Sequence, residues 1–222
     1  ENEYYSLVRP KQVPLAGETP SQALANRGVG YVELRAVDVN PYSDIGIDED
    51  TAGFLEVLAL YCLMQDSPEL YDQELEDIEK NQAEVVNRGR APNAVIIEHK
   101  KQVPILKWMG QHLDHMQSLA RVLNQTYASR IYTQALETMK QRIHKVDETL
   151  SAKVIQDTLS HKGTWSFGSE MANQHGQSYE AHVLKPDTIE YFEGLAQSSL
   201  QKQQQLEQEC TQSFDEYLTA FR

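Results

Sequence analysis

Glu33 and Arg35 stand two residues apart in a run, Gly30-Tyr31-Val32-Glu33-Leu34-Arg35-Ala36-Val37-Asp38-Val39-Asn40, that alternates in the manner of a β-strand. Side chains two apart on a strand leave the same face, so the carboxylate and the guanidinium project together. A glutamate in a cleft is a hard oxygen ligand suited to Mg²⁺. An arginine beside it can receive phosphate oxygens through two parallel hydrogen bonds. The same pair on a solvated strand face would be an ordinary cross-strand ion pair, and the pattern alone leaves both readings open.

Other chemistry-bearing residues point less sharply. His112 and His115 lie three apart with Asp114 between them, a spacing that can chelate a metal on a helix. His112 also falls in the apolar register, which is the place of a core histidine. Cys62 sits on an apolar stripe and reads as an inert core thiol. Gly28 and Gly30 belong to a turn and do not form a phosphate loop. No nucleophile elbow or cysteine–histidine signature is present.

The formal net charge of -13 makes a nucleic-acid or anionic-membrane binder a poor reading. No apolar run approaches the roughly 18–20 residues of a membrane span. Two cysteines, Cys62 and Cys210, far apart and without metal-ligand spacing, point to a reducing, cytoplasmic setting. Glu1 begins inside a patterned segment, so the chain reads as opening within a longer protein.

The elements that must position Glu33 and Arg35 are two strands, Asn2 to Arg9 and Gly30 to Asn40, joined by a loop with a short helix around Pro20 to Asn26. In the first strand Glu3, Tyr5, Leu7 and Arg9 share a face, and Pro10 and Pro14 weaken further pairing. In the second, Val32, Leu34 and Ala36 form a packing face opposite Glu33 and Arg35. The cluster Asn40-Pro41-Tyr42-Ser43-Asp44 stops the strand. From Asp48 the period turns helical. Helices are expected from Asp48 to Ser67, Gln73 to Asn87, Pro104 to Leu123, Ser129 to Val146, Ser151 to Leu159, Ser169 to His182 and Asp187 to Phe221. The division is thus residues 1–47, strands and loop, and residues 48–222, helical. Two strands are marginal alone, so they pair with strands from elsewhere or lean on the helices.

The segment Glu1-Asn2-Glu3-Tyr4-Tyr5-Ser6-Leu7-Val8-Arg9-Pro10-Lys11 resembles a strand of the proteobacterial glutamate–cysteine ligases. The run from Gly30 to Ser43, followed by Ile45-Gly46-Ile47-Asp48, resembles a second motif of that family, in the same order. Asp66-Ser67-Pro68-Glu69-Leu70 and Asn87-Arg88-Gly89-Arg90-Ala91-Pro92 extend the likeness, which past Gln102 rests on helix pattern and length. Tyr42 and Asp44 depart from the phenylalanine and proline expected at the turn.

The resemblance implies an α+β fold: a mainly helical fragment contributing strands to an antiparallel catalytic sheet like that of glutamine synthetase. It implies an ATP-dependent ligase that phosphorylates the γ-carboxylate of L-glutamate and lets the amine of L-cysteine displace phosphate, the first step of glutathione biosynthesis. ATP is then a co-substrate and Mg²⁺ the cofactor. By position, Glu33 resembles a metal ligand, Arg35 the catalytic arginine that meets the transferring phosphoryl group, and Tyr5 a residue lining the cysteine pocket. Arg9, Asp38 and Asn40 lie in the motifs with no role assigned. The family's other metal ligands lie in an N-terminal half absent from this chain, making that half a partner and the chain alone inactive. A non-catalytic helical interaction module retaining the motif is the alternative. The ligase half of a bifunctional glutathione-forming protein would need a following ATP-grasp domain, of which the chain shows no trace.

Overall fold

Helix starts are set by side chains that take up the free backbone N–H groups of the first turn. Asp48 accepts from the Thr51 amide and opens α2 (Glu49–Leu63). Thr19 opens α1 (Pro20–Arg27) with a reciprocal box in which Gln22 reaches back to the Thr19 amide. Thr149 opens α6 (Leu150–Ser160). The computed structural model describes residues 6–221, with side chains to residue 219.

In chain order the elements are β1 (Val8–Lys11), α1, β2 (Tyr31–Leu34), α2, α3 (Asp72–Arg88), β3 (Val95–Glu98), β4 (Lys101–Pro104), α4 (Ile105–Thr126), α5 (Ile131–His144), α6, α7 (Thr164–Ala181), α8 (Pro186–Glu209) and α9 (Phe214–Phe221). The chain is α+β and mainly helical, with two antiparallel hairpin sheets, β1–β2 and β3–β4. It divides into two compact units, residues 1–38 with 176–222, and residues 39–175.

The core of the second unit is a three-helix packing of α2, α4 and α5. Val57, Leu113, Met116, Ala120, Leu123, Tyr132, Leu136 and Ile143 are buried together there. Gly53 on α2 faces Ile131 and Ala135 of α5, which a Cβ at that position would meet at ordinary contact distance. Two α2 carboxylates tie onto α5: Asp50 accepts from Thr138 and Gln134, and Glu56 accepts from the Tyr132 hydroxyl at 2.9 Å. The β3–β4 hairpin adds a smaller cluster of Ala94, Ile96 and Ile105.

His112 is half-buried at the edge of the α2–α4 packing. Its Nδ1 lies 3.1 Å from the Tyr61 hydroxyl, and its ring stands edge-on to Trp108 with centroids 4.3 Å apart. His115 is close by, but among the described residues no three or more His, Cys, Asp or Glu side chains gather as a metal site.

In the first unit, β1 and β2 pair with Arg9 opposite Glu33 and Lys11 opposite Tyr31. The ladder runs on at both ends, with the Gly30 amide donating to Lys11 and the Arg35 amide to Leu7. The connecting segment is tied at its base. Arg27 bonds Glu18 and the Val13 carbonyl, and Gln12 donates to the Gly28 carbonyl. Gly28 takes φ 71°, a left-handed conformation that lets the chain leave α1 and re-enter β2.

Several expectations are corrected. The second strand is shorter than Gly30–Asn40 because pairing stops beyond Arg35. The first runs through Pro10, which stands opposite Val32, since a proline is tolerated where its nitrogen need not donate. The face of Val32, Leu34 and Ala36 is not a packing surface within this chain: Val32 is 52% and Leu34 37% exposed. Cys62 is exposed and is not in the core. The last helix breaks at Cys210, whose extended backbone ends α8. The β3–β4 hairpin was not expected at all.

Candidate functional site

The β1–β2 ladder places Leu7, Arg9 and Lys11 on one face with Tyr31, Glu33 and Arg35, because directly opposed residues in an antiparallel pair point the same way. Glu33 and Arg35 share that face, with Arg35 Nε 3.9 Å from Glu33 Oε1. Lys11 comes from the other strand, its Nζ 3.6 Å from Glu33 Oε2. Both contacts are longer than a hydrogen bond, so the carboxylate is held electrostatically and not by directed bonds. Arg9, across the ladder from Glu33, is almost fully buried at 3% exposed.

Glu33 Oε2 is itself out of contact with solvent and makes no hydrogen bond among the described residues. An oxygen shielded from water and without a donor is a position that a hard cation can complete. The fit is partial. Glu33 supplies one ligand, and the remaining oxygens of an octahedral Mg²⁺ must come from phosphate, water or other carboxylates. The surrounding cations, Lys11 and Arg35, are suited to the phosphate oxygens of a metal-bound nucleotide.

Tyr5, the third expected site residue, lies outside the described residues. Lys11 was missed by sequence reasoning. Its signal was the β-register, since Lys11 continues the alternation of Leu7 and Arg9 beyond the proline.

The turn that follows, in the second unit, is keyed by Asn40, which is buried. Its amide donates to Asp48, its Oδ1 accepts from the Tyr42 amide, and its backbone amide bonds the Gly46 carbonyl. Gly46 sits at φ 79°, where a side chain would be strained. Burial works to raise the Asp48 carboxyl, but hydrogen bonds from Thr51 and Asn40 and the charge of Arg142 bring it below the ordinary carboxylate value. Further anchors come from far along the chain. The Tyr42 hydroxyl donates to Asp157 at 2.5 Å, its ring leans on Phe167, and His175 Nε2 lies 2.8 Å from the Pro41 carbonyl. A cavity of about 340 Å³ opens beside this turn, lined by Asn40, Tyr42, Asp48, Arg142, Lys153 and Asp157. Asn40 is thus a turn keystone, a role the sequence motif did not reveal.

Comparison with known proteins bears on the whole chain. Residues 1–85 match the family described as glutamate–cysteine ligase. The glutamate–cysteine ligase of Azotobacter vinelandii is 36% identical over 224 residues, covering 100% of this chain and 42% of that protein. That of Pseudomonas fluorescens is 34% identical, with the same shares covered. A crystal structure of the glutamate–cysteine ligase from Francisella tularensis in complex with AMP superposes with a TM-score of 0.85 at 28% identity, covering 98% of this chain and 43% of that one. The chain therefore spans less than half the length of the relatives it matches. No described helix is long and apolar enough to cross a membrane. Over its whole length this chain is thus similar to part of the glutamate–cysteine ligases, and its residues 1–85 match their family.

Proposed function

We propose that this chain is the portion of an ATP-dependent glutamate–cysteine ligase that supplies one wall of its active site, working in the cytoplasm with Mg²⁺. The observation that carries this reading is the shared face of Glu33 and Arg35, within a chain matched over its full length by ligases. The substrates are then L-glutamate, L-cysteine and ATP. The rest of the enzyme, corresponding to the length that the relatives have beyond this chain, brings the remaining metal ligands.

In that setting Glu33 holds one coordination position of the metal, and Arg35 lies where the γ-phosphoryl group passes from ATP to the γ-carboxylate of glutamate. Bound Mg²⁺ would neutralise phosphate charge and align the transfer. The guanidinium stabilises charge that grows on the phosphoryl oxygens, and the cysteine amine then displaces phosphate from the acyl carbon. Tyr5 lines the cysteine pocket. The uncovered apolar face of Val8, Val32 and Leu34 supports docking of further ligase structure against this sheet.

Glu33→Gln in the full-length ligase tests the reading. Gln keeps the shape and removes the charge that a hard cation needs, so Mg²⁺-dependent turnover should fall by roughly a hundredfold with the fold intact by circular dichroism. A near-normal rate with unchanged Mg²⁺ dependence would remove Glu33 from the site.

A further inference from the structure

The cavity of about 340 Å³ beside the turn keyed by Asn40 shares no residue with the face of Glu33 and Arg35, and the ligase reading makes no use of it. Its walls hold five charged side chains, Asp48, Arg142, Glu148, Lys153 and Asp157. A ligand would meet whichever hydrogen-bonding positions of these groups the protein leaves unused.

Arg142 has the most to offer. Its side chain is only 25% exposed, yet among the described residues the guanidinium donates to no oxygen. Nη2 stands 3.9 Å from Asp48 Oδ2, and Nη1 stands 3.6 Å from the Met139 thioether, a weak acceptor. Asp48 is held back because the Thr51 backbone and the Asn40 side chain already donate to its two oxygens. A half-buried fork of five N–H groups in this state can receive a carboxylate through two parallel bonds. Lys153, near the start of α6, lines the same cavity and makes no hydrogen bond or ion pair among the described residues.

The acidic groups are half used. Asp157 Oδ2 accepts from Tyr42, and Glu148 Oε1 accepts from Lys145. Asp157 Oδ1 and Glu148 Oε2 have no protein donor among the described residues. The lining therefore asks for charge of both signs. A phosphate would enter a site where two cations face three carboxylates, against the net charge. A simple amine would leave the Arg142 fork unmatched. One carboxylate and one ammonium group on the same molecule answer both sets.

We propose that this cavity binds a free α-amino acid as its zwitterion, with the carboxylate on the Arg142 fork beside Lys153 and the ammonium group against Glu148 Oε2 and Asp157 Oδ1. The volume leaves space for a side chain beyond the zwitterionic head.

The Met139 side chain touches Arg142 and gives a local readout. In full-length ligase labelled with ¹³C at its methionine methyls, and with the Met139 signal assigned by Met139→Leu, L-alanine is titrated against acetate and ethylamine. L-alanine should move the Met139 signal saturably. Acetate and ethylamine should each bind roughly tenfold more weakly or worse, since each makes one of the two charge-assisted contacts. Arg142→Gln should abolish the response. Lys153→Gln and Glu148→Gln alter an exposed and a half-exposed side chain, and each should weaken L-alanine by roughly threefold to tenfold. Lys153→Gln should weaken acetate as well, whereas Glu148→Gln should not, a split that a general structural lesion would not produce. A Met139 signal unmoved by L-alanine overturns the proposal. So does acetate that binds as tightly as L-alanine, a response that survives Arg142→Gln, or L-alanine affinity unchanged in both Lys153→Gln and Glu148→Gln.

Discussion

The hydroxyl of Tyr42 donates to the Asp157 carboxylate at 2.5 Å across 115 residues of sequence, joining the turn that ends the second motif to α6. Burial, then the bond and charge of Asp157, push the Tyr42 phenol up to about 12. The helical region thereby helps to hold a turn whose residues belong to the motif.

Tyr42→Phe should therefore destabilise the protein by about 0.5–1.5 kcal/mol, the net worth of one partly exposed hydrogen bond. Equilibrium urea unfolding checks the magnitude. Because the folded phenol is raised above its ordinary 10, the stabilisation is complete below pH 10 and is lost as pH rises through 12. Tyr132 is also raised, by its hydrogen bond to Glu56, so phenolate absorbance should show one late-titrating tyrosine fewer in the variant than in wild type. An unchanged number of late-titrating tyrosines in Tyr42→Phe would break the assignment.

His112 should make the second unit acid-sensitive. Burial lowers its basicity below the ordinary 6.5 and the charge of His115 adds to this, while the charge of Glu98 opposes it. The unfolded chain then takes up the proton first as pH falls. Stability is complete above pH 6.5 and declines as pH drops below it toward the folded value. Urea midpoints at neutral and mildly acidic pH, for wild type and His112→Gln, isolate the contribution. A pH dependence that is identical in the two proteins would refute it.

The 222-residue chain by itself should not form γ-glutamylcysteine. On the proposed reading Glu33 would supply one ligand where phosphoryl transfer needs charge neutralised from several sides, and losing a single good electrostatic contact can cost on the order of 3 kcal/mol, about a hundredfold in rate. The chain mixed with ATP, Mg²⁺, glutamate and cysteine, and followed by phosphate release against the full-length ligase, decides the point. Comparable turnover would place a complete active site within these residues.

Much of this fold was legible because its helices carry clear starts. Asp48 and Thr149 sit one residue before α2 and α6, and the apolar residues of α4 recur at helical spacing. The β3–β4 hairpin escaped because its turn, Glu98-His99-Lys100-Lys101, holds two left-handed residues, His99 and Lys100, without the glycine or asparagine that normally announces them. At the site, the shared face of Glu33 and Arg35 followed from alternation alone. Lys11 did not, since its place beside Glu33 depends on which residue of β1 stands opposite which of β2. The exposure of Val32 and Leu34 was equally unreadable, because a strand's pattern shows which face is apolar and not what covers it.

Asn81 on α3 spends both ends of its side-chain amide on one residue of β3, donating to the Ile97 carbonyl and accepting from the Ile97 amide, each at 2.7 Å. Those are the groups that an added strand would use. The helix thus carries a single-residue imitation of a β-strand and shuts that edge against chance pairing with another molecule. Such a plug guards against aggregation at the cost of one side chain, and it leaves the β1–β2 sheet as the better place for strand growth.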